Sequence, residues 1–365
     1  MKKLNPAHEI RVVEQNPANN TYGWGLVFSD KTLSYLQEND HESFAAIANG
    51  MHTWDDVAVV HRGHRITIGG NAFRGIARIK FLRILQKRCQ QQGIHLEFER
   101  RLTSLAPLAD HDLIVASDGV NSFVRRQFEQ QLGTTLQARP NKYIWYGTNC
   151  LFDDLTMVFR QNVDGVFVAH AYRFGKTTST FIVECDPDTW AQAGLGTKSD
   201  AENRAYLEEV FQEDLGGQPL LSNKSEWLNF CVVRNRRWSY ENVVLLGDAS
   251  HTVHFSIGSG TRLALGDAIA LYRACADNPH ADIPEVLTAF EQARKSVVDR
   301  LQDAAYASMT WFETVKDRMD LDPLPFAYEL MTRSGSIDHE KLRERDPDFV
   351  AAYEAYQQAF GSGCE

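Results

Sequence analysis

The segment that most constrains the fold is residues 247–260, with the sequence GDASHTVHFSIGSG. It follows the apolar run 243–246, which is typical of a buried strand, and it precedes residues 263–271, which have helical character. Open α/β sheets bind their ligands where a strand ends in a glycine-bearing loop before a helix. The sequence therefore predicts a ligand site at the end of this strand.

Several side chains of this loop suit a ligand. Asp248 stands at the strand end, where a carboxylate can accept hydrogen bonds from sugar-like hydroxyls, while Gly258 and Gly260 allow close backbone approach. A tight turn in which Asp248 only caps the helix is the alternative. His251 and His254 are three residues apart with no third ligand nearby, so no metal site is predicted.

A second loop has a related pattern. The strand predicted over 112–119 ends at Asp118 and Gly119, and Ser122 follows as a candidate helix cap. Arg125 falls on the first helical turn, where it can meet a phosphate. A common Asp-Gly turn is the alternative for this segment taken alone.

The rest of the chain predicts an α/β protein with an inserted sheet. Aromatic and β-branched segments between turn residues predict an antiparallel sheet over about 140–235. The other predicted elements are a strand within 7–14, helices over 76–92 and 284–317, and helical pieces after 323. Parallel strands in 112–119 and 243–246 would then flank the insertion.

Composition limits the partners. The formal net charge of −10 argues against nucleic-acid binding, and no apolar run approaches the roughly 18 residues of a membrane span. The six cysteines form no CxxC pair, which is typical of reduced thiols in a cytoplasmic protein. We therefore expect a cytoplasmic location and a small-molecule substrate, with no nucleic-acid or membrane partner.

Together the two loops resemble the fingerprints of class A FAD-dependent aromatic monooxygenases, the para-hydroxybenzoate hydroxylase-like flavoproteins. The pattern DGxxSxVR is matched at Asp118, Gly119, Ser122, Val124 and Arg125. The pattern GDAxHxxxPxxGxGxNxAxxDA is matched at Gly247, Asp248, Ala249, His251, Gly258, Gly260, Ala264, Asp267 and Ala268. Phe255 replaces its proline and Arg262 its asparagine. Flanking segments, such as TYGWGLVFSD and GIARIKFLRIL, resemble the salicyloyl-CoA and anthraniloyl-CoA 5-hydroxylase branch.

The resemblance implies a Rossmann-like FAD-binding domain with an inserted antiparallel β-sheet substrate domain and a helical C-terminus. The expected FAD-binding domain comprises residues 1–60, 71–138 and 236–300. The expected substrate domain comprises 61–70 and 139–235, and the C-terminal helical region is 301–365.

The resemblance also implies the cofactors and the reaction. FAD would be reduced by NADH or NADPH and would react with O2 to a C4a-hydroperoxyflavin, which hydroxylates an aromatic ring. The substrate expected from the branch is an aryl-CoA thioester of the salicyloyl-CoA or anthraniloyl-CoA type. A free indole or phenol is the alternative substrate.

Site residues follow from the same resemblance. Asp248 would hold the ribityl chain, Glu14 the adenosine ribose, and Arg78 the FAD phosphates. The remaining expected cofactor-binding residues are Asp118, Gly119, Arg125, Gly247, Gly258 and Gly260. Candidate substrate contacts are Trp24, His170, Tyr172, His254 and Arg262, with Trp145, Phe159 and Phe167 as further candidates on the sheet. Arg262, Arg173 and Lys176 are candidates for the phosphates of a CoA group.

The family's first strand and its GxGxxG phosphate loop would precede Glu14 by about 20 residues, which falls before Met1. We therefore expect both to be absent from this sequence and FAD binding to be weak. An FAD-deficient, non-catalytic remnant is accordingly the alternative of a different class.

Overall fold

A computed structural model describes residues 1–360, apart from the side chains of residues 30 and 31. The strands are β1 Arg11–Val13, β2 Gly25–Ser29, β3 His52–Trp54, β4 Val57–His61, β5 His64–Ile68, β6 Phe73–Ala77, β7 His95–Glu97, β8 Ile114–Ala116, β9 Thr134–Thr148, β10 Leu155–Asn162, β11 Gly165–Arg173, β12 Ser179–Cys185, β13 Leu220–Leu221, β14 Leu228–Asn235, β15 Ser239–Tyr240 and β16 Val243–Leu245. The α-helices are α1 Asp30–Asn39, α2 His41–Ala48, α3 Arg78–Gln91, α4 Phe123–Gln127, α5 Glu129–Leu132, α6 Pro187–Gln192, α7 Asp200–Val210, α8 Gln212–Leu215, α9 Gly260–Asp277, α10 Ile283–Glu313, α11 Pro323–Thr332, α12 His339–Arg345 and α13 Pro347–Phe360. Short 3-10 helices cover Ala106–Leu108, Gly247–Ala249, Phe255–Ile257 and Val315–Arg318.

The predicted inserted sheet forms the centre of the protein. Within the described residues it has eight strands in the order β13-β9-β12-β11-β10-β4-β5, with β14 also paired to β9. All of its ladders are antiparallel except the one between β10 and β4. The boundary predicted between residues 60 and 61 falls inside β4, which joins this sheet together with β5. The division into domains stays a prediction.

Two small parallel ladders form the Rossmann-like part. The strand β8 pairs in parallel with β16, and β1 pairs in parallel with β7. Within residues 1–360 the two ladders do not join, and Val12 and Val115 at the centres of β1 and β8 remain 42% and 43% exposed. The parallel strands predicted at 112–119 and 243–246 are thus confirmed, as is the α/β architecture with an antiparallel insertion.

The two faces of the large sheet are covered differently. Residues of α6, α7 and α8 pack on one face, where Phe167 lies in a core with Phe181 and Phe211. On the other face, Phe159 packs against Trp311, Phe312 and Phe326 from α10 and α11. Phe159 and Phe167 therefore serve as core residues of the sheet. The same face as Phe159 also carries the side chains of the candidate site.

The long helix α10 has a clear start signal. Asp282 and Glu285 form a reciprocal capping box, and Pro284 lies in the first turn. The helix ends at Glu313 and is followed by the 3-10 helix Val315–Arg318, so the helix predicted over 284–317 is four residues too long. No helix within residues 1–360 combines the length and apolarity required to cross a bilayer.

Candidate active site

The loop after β16 carries Asp248 between two buried neighbours. Gly247 adopts a φ of 58°, and a Cβ built there would lie 3.2 Å from the Cβ of Ala264 in α9. Asp248 retains exposed surface between the buried residues Gly247 and Ala249. Protein atoms nevertheless surround its carboxyl closely enough that burial raises the pKa of this group. Both observations fit a side chain that faces an internal cleft.

A buried carboxylate in α9 fixes this loop. Asp267 accepts hydrogen bonds from the Gly247 amide at 3.0 Å, from His251 Nε2 at 2.8 Å and from Arg294 Nε at 2.7 Å. Burial alone would raise the pKa of Asp267, but His251 and Arg294 outweigh it, so the pKa is lowered and the carboxylate stays ionised. Arg294 was missed in the sequence because α10 shows no motif there. Asp267 was already matched in the pattern GDAxHxxxPxxGxGxNxAxxDA, and it is also a charge inside the apolar helix LALGDAIAL.

The amino end of α9 opens onto free space. Gly258 has a φ of 59° and Gly260 begins the 18-residue helix. Apart from atoms of the adjacent chain, no heavy atom of the described residues lies within 4 Å of a Cβ built on Gly258 or Gly260. Because the first amides of a helix lack intrahelical partners and carry partial positive charge, this space suits an anionic or strongly accepting group.

The segment that matches DGxxSxVR lies next to the Asp248 loop. Asp118 Oδ2 accepts hydrogen bonds from the amides of Phe123 at 2.8 Å and Val124 at 3.2 Å, so it caps α4. Arg125 is 2% exposed and donates to the carbonyl of Ala249 at 2.9 Å and to the carbonyl of Val120. Arg125 therefore ties the turn after β8 to the Asp248 loop. In this conformation its guanidinium is engaged by backbone carbonyls; its cofactor role, like that of Asp118 and Gly119, stays a prediction.

Arg78, at the start of α3, faces Asp248 across the cleft. Its guanidinium lies 5.9 Å from the ring centroid of Trp145, and one Nη donates to the carbonyl of Tyr22 at 3.3 Å. Burial lowers the pKa of Arg78, while the charge of Asp248 and the nearby Tyr172 partly offset it. The cleft thus holds one cation and one anion that are close enough to influence each other.

Two tryptophans pack on each other's neighbouring segments, Trp24 on Gly147 of β9 and Trp145 on Gly23 just before β2. A Cβ on Gly147 would lie 2.7 Å from the indole of Trp24, and one on Gly23 would lie 3.1 Å from the indole of Trp145. These glycines therefore admit aromatic rings. Both indole Nε1 atoms are buried without a hydrogen-bond partner in the described residues. Unpaired buried donors are costly, and the indole nitrogens of Trp54, Trp190 and Trp311 are unpaired in the same way.

The predicted FAD fits these features. A cation at Arg78, the acceptor Asp248 and the open amino end of α9 complement a molecule with phosphates, hydroxyls and a carbonyl-bearing ring. Glu14 lies elsewhere, at the end of β1, where its Oε1 accepts hydrogen bonds from the backbone and side-chain amides of Asn16. The assignment of Glu14 to a ribose stays a prediction.

The predicted substrate contacts differ in how far their polar groups are already engaged. Tyr172 donates to the carbonyl of Gly25 at 3.0 Å, and its burial raises the pKa of the phenol to about 12. Arg262 lies half-buried in the first turn of α9 and has no side-chain hydrogen bond or ion pair within the described part of the chain. Arg173 is engaged by Asp153 at 3.3 Å and by backbone carbonyls, while Lys176 is exposed.

Tyr143 is a lining residue that the sequence reasoning missed. Its ring packs on Phe255 at 5.0 Å between centroids, and its hydroxyl makes no hydrogen bond within residues 1–360. Burial, followed by the charge of Asp248, raises the pKa of this phenol to about 12. Tyr143 therefore remains a neutral hydrogen-bond donor beside the cleft. Its position among the aromatic residues of β9 gave no distinguishing signal.

We expect the free energy of unfolding to depend on pH because of the buried His254. Burial lowers the pKa of this imidazole from 6.5 to about 4. Because the unfolded chain binds the proton more readily, the stabilisation is complete above the unfolded pKa and is lost as the pH falls from 6.5 towards 4. We expect this group to account for a loss of about 3 kcal/mol in unfolding free energy over that interval. Urea unfolding across the interval measures it.

Two variants separate His254 from other titrating groups. His254→Gln should flatten the stability curve between pH 6.5 and 4, whereas His280→Gln, at an exposed position, should leave it unchanged. A His254→Gln curve as steep as that of the unmodified protein would contradict the assignment.

Comparison with known proteins places the chain in a family. The model of the FAD binding domain family matches residues 10–305, and the chain belongs to this family. The protein is an FAD-dependent aromatic monooxygenase of class A, in which NADH or NADPH typically serves as co-substrate.

Individual relatives agree with this class. The chain is 38% identical to the salicyloyl-CoA 5-hydroxylase of a Streptomyces species over 360 residues, covering 96% of this chain and 69% of that protein. It is 35% identical to the 3-hydroxy-4-methyl-anthranilyl-(aryl-carrier protein) 5-monooxygenase of Streptosporangium sibiricum, covering 92% of this chain and 89% of that protein. Its fold is similar to that of p-nitrophenol 4-monooxygenase from Pseudomonas putida DLL-E4, with a TM-score of 0.71 at 16% identity over 97% of this chain and 93% of that one.

Proposed function

We propose that the protein hydroxylates the ring of an aryl thioester, with an aryl-CoA of the salicyloyl-CoA or anthraniloyl-CoA type as substrate. The observation that carries this proposal is the 38% identity to a salicyloyl-CoA 5-hydroxylase across 96% of the chain. The second relative also acts on an aryl group, which its name places on a carrier protein. A free indole or phenol is the alternative substrate.

The geometry supports a division of roles within the cleft. When bound, FAD supplies the transfer of electrons from NAD(P)H and the activation of O2. Asp248 accepts hydrogen bonds from the cofactor's hydroxyls, and Arg78 compensates the negative charge of the cofactor's phosphates. The amides at Gly258 and Gly260 stabilise negative charge on the ring system. Arg262, which has no partner within the described residues, is the candidate on α9 for a thioester's phosphate groups.

The substitution Gly260→Ala should affect FAD binding but not the folding of the apoprotein. A Cβ there meets no described protein atom within 4 Å, and the residue needs no positive φ, so Gly260→Ala should keep or slightly raise the stability of the apoprotein. In the cofactor complex the same methyl group would occupy space meant for FAD, and we expect affinity to fall about tenfold. FAD titration followed by flavin fluorescence and thermal unfolding of the apoprotein measure the two effects.

The matched control for Gly260→Ala is Asp277→Ala, at the exposed far end of the same helix. This control should bind FAD as the unmodified protein does. Equal FAD affinity in Gly260→Ala and Asp277→Ala would remove Gly260 from the cofactor site.

The function is tested in two stages with the full chain. The first measures FAD bound per chain after reconstitution, because a chain that cannot retain flavin belongs to the FAD-deficient alternative. The second supplies NADH or NADPH and O2 with salicyloyl-CoA, anthraniloyl-CoA, salicylate, phenol and indole, and detects hydroxylated products by mass spectrometry. Product from the thioesters alone supports the proposal, product from the free aromatics favours the alternative substrate, and NAD(P)H oxidation without any hydroxylated product contradicts both.

A further inference from the structure

Four basic side chains meet at the start of β3 and form the His52 cluster, which comprises His52, Lys80, Arg173 and Lys176. His52 is half-buried, and its imidazole makes no hydrogen bond or ion pair within the described residues. Burial, followed by the positive charges of Arg173, Lys176 and Lys80, lowers the pKa of this imidazole. His52 is therefore a neutral ring at pH 7 that stands among three cations.

Close packing brings these side chains together from three parts of the fold. His52 is paired with Gly75 of β6, and a Cβ built on Gly75 would collide with the carbonyl oxygen of Arg173 at the end of β11. A Cβ built on Gly50, two residues before His52, would collide with Nζ of Lys80 in α3. The end of β11 and the ammonium group of Lys80 therefore both lie against the segment that begins β3.

The cations of the cluster are mostly without anionic partners. Arg173 folds the hairpin after β11, since its Nε donates to the Gly175 carbonyl at 2.9 Å and one Nη to the Lys176 carbonyl at 3.0 Å. The ammonium groups of Lys176 and Lys80 are exposed and have no acceptor within residues 1–360. The one carboxylate paired with the cluster in this part of the chain is Asp153, which is 82% exposed and lies 3.3 Å from Arg173.

The charge and the donors of the cluster suit a phosphate group. Three cations and one carboxylate leave two positive charges, in a chain whose formal net charge is −10. A phosphate monoester carries up to two negative charges and three acceptor oxygens. Ammonium and guanidinium groups donate strong hydrogen bonds to such oxygens, and the neutral imidazole of His52 adds one N–H donor.

Two aromatic rings connect the cluster to the cleft. Side chains two residues apart on a strand share a face, so Trp54 points the same way as His52, about 7 Å further along β3. The ring of Trp54 stacks on Tyr172 at 6.1 Å between centroids. Tyr172 in turn lies close enough to Arg78 to influence the pKa of its guanidinium. The His52 cluster therefore lies beside the end of the cleft that Tyr172 and Arg78 mark.

We propose that the His52 cluster binds the phosphates of the CoA group of the substrate. This assignment rests on the proposed function and gives a place to the part of the thioester that does not react. The aryl group occupies the cleft, and the pantetheine arm passes Trp54 and Tyr172 to reach the cations. Binding energy gained at the phosphates positions the aromatic ring for hydroxylation, although the cluster touches no reacting atom. The sequence offers Arg173 and Lys176 for this role, and the contacts described above add His52 and Lys80.

The test compares thioesters with and without phosphates. Dissociation constants of salicyloyl-CoA and salicyloyl-pantetheine are measured by isothermal titration calorimetry with FAD-loaded protein in the absence of NAD(P)H. We expect the double variant Lys80→Gln/Lys176→Gln to bind salicyloyl-CoA about tenfold more weakly, because two charge-assisted contacts are lost. Its affinity for salicyloyl-pantetheine, which has no phosphate, should be unchanged. Added salt should weaken salicyloyl-CoA binding more in the unmodified protein than in this variant.

The matched control is the double variant Lys87→Gln/Lys316→Gln, which removes the same charge at two exposed positions outside the cluster. It should bind both thioesters as the unmodified protein does, and the FAD content of each variant shows whether it folds. Equal salicyloyl-CoA affinity in the two double variants, or an equal loss for both thioesters in Lys80→Gln/Lys176→Gln, would overturn the phosphate assignment alone. If the unmodified protein binds neither thioester, the proposed function fails and the assignment fails with it.

Discussion

Replacing Asp267 with alanine is expected to lower the free energy of unfolding by about 3–5 kcal/mol. The substitution removes the acceptor for Arg294 Nε at 2.7 Å and for His251 Nε2 at 2.8 Å, and it also frees the Gly247 amide. Asp267 is fully buried, so these donors cannot all turn to water. They would then lose their acceptor, and the loss is most costly for the Arg294 guanidinium, whose side chain is only 12% exposed. The midpoint and slope of urea unfolding measure the loss.

A surface carboxylate of α10 gives the matched control. Asp299 pairs with Lys295 at 3.1 Å, but its side chain is 42% exposed. Asp299→Ala should therefore change the unfolding free energy by at most about 1 kcal/mol. If the two alanine variants unfolded at the same urea concentration, Asp267 would have no special role in holding the loop.

The second large effect concerns the cofactor. Asp248→Ala should reduce the affinity for FAD about a hundredfold or more, because two charge-assisted hydrogen bonds of about 1.5 kcal/mol each would be lost. The protein itself should remain folded, since Asp248 caps no helix through its side chain and faces the cleft. Fluorescence titration of the apoprotein with FAD measures the affinity, and far-ultraviolet circular dichroism checks the fold.

Asp277→Ala again serves as the control, at the exposed end of α9. Like Asp248→Ala, it removes one carboxylate, so the net charge of the protein changes equally. An Asp248→Ala protein that binds FAD within about threefold of this control would contradict the predicted ribityl contact.

Local patterns sufficed for the parts of the fold that depend on a few neighbouring residues. The apolar runs before Asp118 and Asp248 predicted two parallel strands, and both pair as expected. Ser122 was predicted as a helix cap and accepts a hydrogen bond from the Arg125 amide at 2.9 Å. Such signals involve residues that are close together in the sequence, so they are visible without knowledge of tertiary contacts.

Features that depend on distant segments could not be predicted. Glu184 is one acidic residue in the strand STFIVEC, and only the pairing of β11 with β12 brings it to His170. Gly23 and Gly147 proved necessary for the indoles of Trp145 and Trp24, which lie more than 100 positions away from them. No local pattern encodes such a partner, because the contact arises from the order of strands in the sheet.

The contact between Arg125 and Ala249 spans 124 positions of the chain and ends on a backbone carbonyl. Every residue has a backbone carbonyl, so this hydrogen bond does not depend on which side chain stands at position 249. The strands of the large sheet that lie between these two loops in the chain can consequently diversify, through altered side chains or longer hairpins, while the two loops remain in register with each other. Substrate range and flavin geometry are thereby open to separate evolution within one polypeptide.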